Sequence, residues 1–449
     1  MSPARQTATK GLVSGAFPIL LASMFLIFSC LFEVIPGTHY LRPQLILAGL
    51  GLLILLPSGE AMRVAMTPVG KSLFIFTGWF MVCIPFAIWR GGSFHIFIET
   101  WYKSVLMFVL TAGLLSTIAQ AKKLFHAIGY AVSLMAVIAL AEHTYQLGRL
   151  TLPNARYGNS NELGVSLLIG LTFLGYSLRF GNRRERAVVA LLSAPVLLAL
   201  VKTGSRAAML GVAMLCLIAF FQASSKERSK MIAFAPLILI GLVIVVPSNL
   251  RHRYFTLFGS GGQGPMTKAE YDEYLAATNS AEARLKLLKD SLIITAHHPI
   301  FGVGPGNFPV EQNNLAIARG EYGMWHQTHN TYTQVSSEMG LPGLVLYLIF
   351  LYRTFKVLTS IVRGEQSGAA WAELRGMALS LRYAFIVLAT VAAFDSFAYI
   401  PEIPIMAGLA VALGDIAKRQ EVADRGTYAL PRSRRRVRTL VSNRPLAAG

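Results

Sequence analysis

Charge is what this sequence has least of. Only 14% of its 449 residues are Asp, Glu, Lys or Arg, against roughly 25% in a soluble domain, so water is not the main solvent of this chain. Cysteine is almost absent. Cys30, Cys83 and Cys216 all fall within apolar stretches, where a free thiol behaves as a small hydrophobe and no disulfide framework is implied. No internal repeat is present. Acidic residues number 22 against 41 basic ones, a formal charge of +19, which raises a nucleic-acid reading that the placement of the charges then argues against.

What the sequence has in quantity is uncharged length. Residues 71–90, 103–122, 206–226 and 230–251 carry no charge between their end residues, and a run of about 18 to 20 such residues is the length of a helix crossing roughly 30 Å of hydrocarbon. Further apolar segments lie at 17–32, 41–57, 124–141, 163–178, 187–201, 341–358, 377–394 and 402–416. The expected fold is an all-α, polytopic integral membrane protein of about 12 transmembrane helices, with one long outer loop between the ninth and tenth. The second, seventh and last three segments are short between their flanking charges, so two of them can pair differently or be re-entrant. The first segment lacks a small-residue cleavage site and reads as a span rather than a signal peptide.

Basic residues collect in alternate connections, as the positive-inside rule requires. With an even number of spans and a cytoplasmic N-terminus, the inner segments hold 27 of the 41 and the outer side keeps 14. Both termini are then cytoplasmic, and the charge has no nucleic-acid partner to explain. The chain divides into residues 1–250 (spans one to nine), 251–338 (the outer loop, with short helices), 339–417 (spans ten to twelve) and 418–449 (a basic tail). The run from Arg432 to Arg438 reads as disordered and solvated, with attraction to anionic lipid headgroups as the alternative.

The loop of 88 residues is where chemistry is expected, because long loops in compact proteins are functional when they are not disordered. It opens with Gly259-Ser-Gly-Gly-Gln-Gly264. Residues 281–295 follow, with Leu285, Leu288 and Leu292 at helical spacing beside Arg284, Lys286 and Lys289, as in an amphipathic helix on the membrane surface. His298-Pro299 stops that helix. A turn-rich run, Gly302-Val-Gly-Pro-Gly-Asn307, leads through a polar stretch to Trp325-His-Gln-Thr-His-Asn330. A short helix then begins near His329 and continues through Gly340-Leu-Pro-Gly343 into the tenth span.

These residues carry a resemblance. The run from His298 to Phe308, then His329-Asn-Thr-Tyr, then Glu338-Met-Gly-Leu-Pro-Gly343, is similar to the signature of the O-antigen ligase and O-antigen polymerase family. Thr203-Gly-Ser-Arg206 and Arg156-Tyr-Gly-Asn-Ser-Asn161 agree with it, so that the likeness covers roughly residues 150–415. It implies glycan transfer at the periplasmic face of a bacterial inner membrane. A sugar chain leaves undecaprenyl diphosphate for a hydroxyl on lipid A core or on another lipid-linked glycan, without a cofactor, among membrane lipids and polysaccharide-assembly partners.

The residue chemistry is compatible. A departing diphosphate needs cations, and the planar fork of arginine binds phosphate oxygens bidentately without deprotonating. Arg206 and Arg284 are the first candidates and Arg156 the third. The competing readings are an interfacial arginine that snorkels for Arg206 and the solvated face of an amphipathic helix for Arg284. His329 suits the acceptor, since imidazole near neutrality accepts a hydroxyl proton, and Asn330 beside it is a binding candidate. Gly304 and Gly306 either present amides to a phosphate or simply make a tight turn. His297, His298, His326 and His329 raise a zinc site, but the loop holds no cysteine and no compact ligand pair, so no metal is expected. A flippase or transporter also has about 12 spans, yet the clean spans are uncharged through their centres. A non-catalytic assembly scaffold is the third class.

Overall fold

The computed structural model describes residues 13–35, 37–155, 158–246, 250–251 and 268–428. Arg156, the stretch from Gly259 to Gly264 and the basic run from Arg432 to Arg438 lie outside the described residues. A helix stands at each of the first nine apolar segments: α1 (Phe17–Ser29), α2 (Pro43–Ser58), α3 (Pro68–Cys83), α4 (Tyr102–Leu114), α5 (Ile118–Glu142), α6 (Ser160–Phe180), α7 (Arg183–Lys202), α8 (Arg206–Gln222) and α9 (Ser225–Val245). The long loop contributes α10 (Lys268–His297) and α11 (Phe308–Ala318), and α12 (Thr331–Arg363), α13 (Ala369–Val391) and α14 (Glu402–Tyr428) cover the last three segments. A two-residue hairpin, β1 (Tyr145–Gln146) with β2 (Arg149–Leu150), joins α5 to α6.

The architecture is therefore all-helical and that of a multi-pass membrane protein. Among the described residues, six helical stretches are long and apolar enough to cross a membrane: Pro68–Phe86, Arg90–Leu114, Ile118–Glu142, Ser160–Phe180, Thr331–Arg363 and Ala369–Val391. Shorter apolar helices stand at Val13–Ser29, Pro43–Ser58 and Arg206–Gln222. Large apolar side chains such as Leu53, Leu191 and Phe221 point outward, as expected where the surrounding solvent is lipid. Helix starts are set by polar caps. Thr67, Thr117, Asn159, Ser205 and Asn330 each accept from amides of the first turn, and Asn182 with Glu185 forms a capping box, satisfying donors that hydrocarbon cannot.

Polar contacts gather at two ends of the bundle. At one end Lys122 reaches Glu185 at 3.3 Å and Glu373 at 3.4 Å, and Arg63 pairs with Asp415. These tie the starts of α5, α7 and α13 together, and the middle of α14 to the short helix Glu60–Ala65 that follows α2. At the other end Arg149 donates to the Thr203 carbonyl at 2.9 Å and to Asn161 at 2.7 Å, while residues before α12 meet those after α13. α5, α6 and α7, and likewise α12 and α13, thus run alternately between the two ends.

α12 is broken. Gly340 has φ 70 and ψ −179, and Pro342 two residues on has no amide to give. The break would orphan carbonyls, and the glycine-rich turn satisfies them. Val303 donates to Ser337 O and Gly304 to Glu338 O, both at 2.9 Å, and Trp79 donates its indole N–H to Met339 O at 2.9 Å. In return the Leu341 amide donates to Pro299 O at 2.8 Å. The two widely separated motif pieces are therefore two halves of one joint.

The loop helix differs from the sequence expectation. α10 begins at Lys268 rather than near residue 281, although it ends at His297, just before the His298-Pro299 stop. Its packed face carries Leu287, Asp290, Ser291 and Ile294, all buried, whereas Leu285 and Leu292 are more than half exposed. The polar members of that face are buried because they are partnered. Asp290 accepts from Gln312 at 3.1 Å and from Arg319 at 2.7 Å, and the Thr295 and Ser336 hydroxyls lie 2.9 Å apart. Leu287, Ile294, Val303 and Phe308 form a small core of their own.

Candidate active site

The chain enters α12 through a strained residue. His329 has φ 49, a left-handed conformation that costs a non-glycine residue energy, and neighbouring hydrogen bonds hold it there. The Asn330 side chain caps the Tyr332 and Thr333 amides at 3.0 and 3.1 Å and donates to Ala393 O at 3.1 Å. The Thr331 hydroxyl donates to Asp395 O at 2.8 Å and accepts from the Phe397 amide at 2.8 Å. Thr328 meets the Ser396 hydroxyl at 3.1 Å. The segment after α13, residues 392–401, is thereby fastened to the start of α12.

That fastening brings a carboxylate to the histidine. Asp395 Oδ1 lies 3.3 Å from His329 Nδ1 and also accepts the Ser396 amide at 2.9 Å. Asp395 is nearly buried, and its Oδ2 has no hydrogen-bond partner among the described residues. A carboxylate accepting from Nδ1–H leaves Nε2 as the basic nitrogen. Sequence reasoning missed Asp395. Its only signal was a lone acid at the end of an apolar run, Phe394-Asp395-Ser396.

A cavity of about 320 Å³ opens beside this pair, walled by Arg206, Arg284, His329, Asn330, Leu285 and Leu288, with Ala393 and Phe394 closing one side. Arg206 is the first residue of α8, after the Ser205 cap, so a helix's positive end adds to its guanidinium. Arg284 projects from α10 together with the exposed leucine stripe. Residues from three distant stretches of sequence thus share one space whose fixed charge is cationic, and its apolar rim is made by α8 and α10.

Gly304 and Gly306 stand elsewhere. The Gly304 amide is taken by Glu338 O, and the Gly306 amide is bonded to the Glu338 carboxylate, which also accepts from Tyr399 at 2.6 Å. Their positive φ values, 96 and 78, and contacts that leave no room for a Cβ against Ala87 and Ile96 favour the tight-turn reading of the sequence over the phosphate-cradle one. His326 is exposed, its ring 6.2 Å from that of His329, and His298 faces Glu311 at 3.7 Å. Among the described residues, no three His, Cys, Asp or Glu side chains gather closely enough to share a cation.

Residues 188–348 match the family model described as O-antigen ligase. The matched stretch contains Arg206, Arg284, His329 and the whole glycine joint, and it ends before Asp395. No curated protein matches the chain.

Proposed function

From the premise that residues 188–348 are an O-antigen ligase domain, we propose that the protein transfers a glycan from undecaprenyl diphosphate to an acceptor hydroxyl at the periplasmic face of a bacterial inner membrane. The observation that carries this reading is the single cavity walled by two arginines and the histidine that a carboxylate holds. Arg206 and Arg284 bind the diphosphate. His329 Nε2 takes the proton of the acceptor hydroxyl, the hydroxyl oxygen bonds to the anomeric carbon, and the carbon–oxygen bond to phosphate breaks. Charge then grows on the diphosphate, where the guanidinium groups stabilise it. The leaving group is already a weak base, so no general acid is required, and the imidazolium is steadied by Asp395.

The twelve helices at the apolar segments all cross the membrane in this reading, with the loop of residues 251–338 outside and both termini inside. The acceptor is lipid A core in a ligase and another lipid-linked glycan in a polymerase. The surface glycans of a deletion strain separate these, since ligase loss leaves bare lipid A core and polymerase loss leaves single repeats. A broken helix such as α12 also occurs in transporters, where freed carbonyls bind ions. Here those carbonyls are already bonded to the glycine turn and Trp79, which favours the enzyme.

The test is transfer from a lipid-diphosphate donor by purified protein. Arg206→Lys and Arg284→Lys should each lose at least about tenfold in turnover, because a point charge does not reproduce bidentate phosphate contact. Full activity in both lysine variants would overturn the assignment of the arginines.

A further inference from the structure

Arg382 stands where a charge is costly. It lies well inside α13, about 14 Å short of the helix end at Val391 at 1.5 Å per residue, in a stretch apolar enough to cross a membrane. Its Nε is buried and has no hydrogen-bond partner, and among the described residues no carboxylate pairs with it. Snorkelling toward the nearer membrane surface accounts for the path of such a side chain, but not for a buried donor left over at its end. A guanidinium so placed calls for an anionic partner.

The surroundings form a corner between three helices. α13 packs against α6 and α8. Phe180, the last residue of α6, covers Gly376, and Ser380 donates to the Thr172 carbonyl. The Tyr383 hydroxyl donates to Oε1 of Gln222, the last residue of α8. That bond turns the Nε2 donors of Gln222 away from Tyr383. Arg179, next to last in α6, and Arg382 both lie within electrostatic range of the Tyr383 hydroxyl. Two guanidinium groups from different helices therefore converge at the end of α8 opposite Arg206 and its cavity.

The acids nearby are engaged elsewhere. Glu373 precedes Arg382 by about two and a half helical turns and so occupies the opposite face of α13, where it meets Lys122 at 3.4 Å and accepts from Tyr176. Glu185 pairs with Lys122 and accepts the Asn182 amide. Glu227 is within range of Arg179 and Lys230, but it is exposed to solvent and accepts the Ser224 amide at 2.8 Å. Arg186 donates to the Arg179 carbonyl at 3.2 Å, and Arg228 to the Phe220 and Phe221 carbonyls. The corner is thus cationic. Leu178 and Phe221 beside it are 41% and 65% exposed, an apolar border on each side.

We infer that this corner binds an anionic phospholipid. Its phosphodiester sits between Arg179 and Arg382, its headgroup hydroxyls accept from Gln222 Nε2, and its two acyl chains lie along Leu178 and Phe221. Arginine matches phosphate oxygens bidentately, and a basic pocket between membrane helices suits such headgroups. The place is at the helix ends, where the headgroups of the surrounding leaflet already lie. A polyprenyl phosphate shares the phosphate chemistry but brings one chain instead of two. Bound here, the lipid ties the end of α8 to α13, and the other ends of those two helices frame the arginine cavity. The inference does not rest on the transferase reading.

The experiment uses full-length protein in a nonionic detergent and measures retention of radiolabelled phosphatidylglycerol, with unlabelled phosphatidylglycerol, phosphatidylcholine and undecaprenyl phosphate as competitors. Phosphatidylglycerol should compete at least about tenfold better than phosphatidylcholine, the equivalent of one charge-assisted contact. Arg382→Met keeps the length of the side chain without its charge. It should lose at least about tenfold in phosphatidylglycerol affinity while the lipid-free midpoint of thermal unfolding stays the same or rises, since an unpartnered charge is removed. Arg179→Gln, at an exposed position, should weaken binding as well and covers the case in which Arg382→Met does not fold. Arg184→Gln, exposed at the same end of the bundle, should bind as wild type does. An equal loss in Arg184→Gln would reduce the effect to diffuse attraction and overturn the inference. So would wild-type binding by Arg179→Gln and folded Arg382→Met, or a lower lipid-free midpoint in Arg382→Met with binding intact, which would make Arg382 a structural residue. Stronger competition by undecaprenyl phosphate than by phosphatidylglycerol would overturn the choice of a phospholipid.

Discussion

At the scale of the residue, the site depends on a histidine held where histidine is seldom found. The left-handed backbone at His329 turns its ring back toward Asp395, and the cap at Asn330 and the Thr331 bonds to residues 395 and 397 offset the strain. General-base assistance is typically worth 10² to 10⁴ in rate, so His329→Ala should lower turnover by about that factor with protein levels intact. His326→Ala, exposed and outside the cavity lining, should be tolerated. In the proposed mechanism Asp395 acts through the imidazole as a positioning residue. Asp395→Asn keeps an oxygen for Nδ1–H but removes the charge that steadies imidazolium, so kcat should fall by about tenfold or more while the acceptor KM stays put, and Asp395→Ala should be worse. A change in acceptor KM at constant kcat would assign Asp395 to binding rather than to positioning. Measured with wild-type acceptor affinity as the reference, the two roles separate cleanly.

At the scale of the element, the joint between the glycine turn and the broken α12 sets the height at which His329 meets the cavity. An alanine at Gly340 would occupy a φ of 70 and place its Cβ 2.0 Å from Ile300 O. Strain and backbone displacement together should destabilise the protein by at least about 3 kcal/mol, read as a fall in the midpoint of thermal unfolding in detergent. Gly78→Ala is the control. It sits within α3 with nothing within 4 Å of the added Cβ, so it should be neutral or stabilising by up to about 1 kcal/mol. The helices were legible because their signal is the absence of charge over a fixed length, which the hydrocarbon thickness enforces. The joint was legible only as two motif pieces, since carbonyls that need donors leave no mark in composition. On α10 hydrophobic periodicity showed only one of two faces. Leu285, Leu288 and Leu292 repeat at helical spacing, but so do Leu287, Ser291 and Ile294, and the choice between the two stripes was made by partners for Asp290 and Thr295 that a single helix does not reveal. Asp395 was illegible for the same reason, because its meaning comes from a segment 66 residues away.

At the scale of the whole molecule, the placement of basic residues along the chain gives an expected orientation in the membrane. If successive helices alternate in direction, 27 basic residues fall on one side and 14 on the other. The structure gathers Lys122, Glu185, Glu373, Arg63 and Asp415 at the end that this count assigns to the cytoplasm, and the arginine cavity at the opposite end. Basic connections stay inside because translocating them is opposed during insertion, so the candidate site should face the periplasm. The orientation is tested by thiol labelling in a background where Cys30, Cys83 and Cys216 are replaced by alanine. Single cysteines are then placed at Ser260 in the long loop, at exposed Ser225, the first residue of α9, and at Ser442 near the C-terminus. A membrane-impermeant maleimide applied to spheroplasts should label Ser260→Cys alone, and all three variants should label once the membrane is opened. Labelling of Ser442→Cys or Ser225→Cys without permeabilisation would invert the topology. The arginines would then face the cytoplasm, where a donor displayed on the periplasmic leaflet does not reach them, so the proposed reaction stands or falls with this orientation.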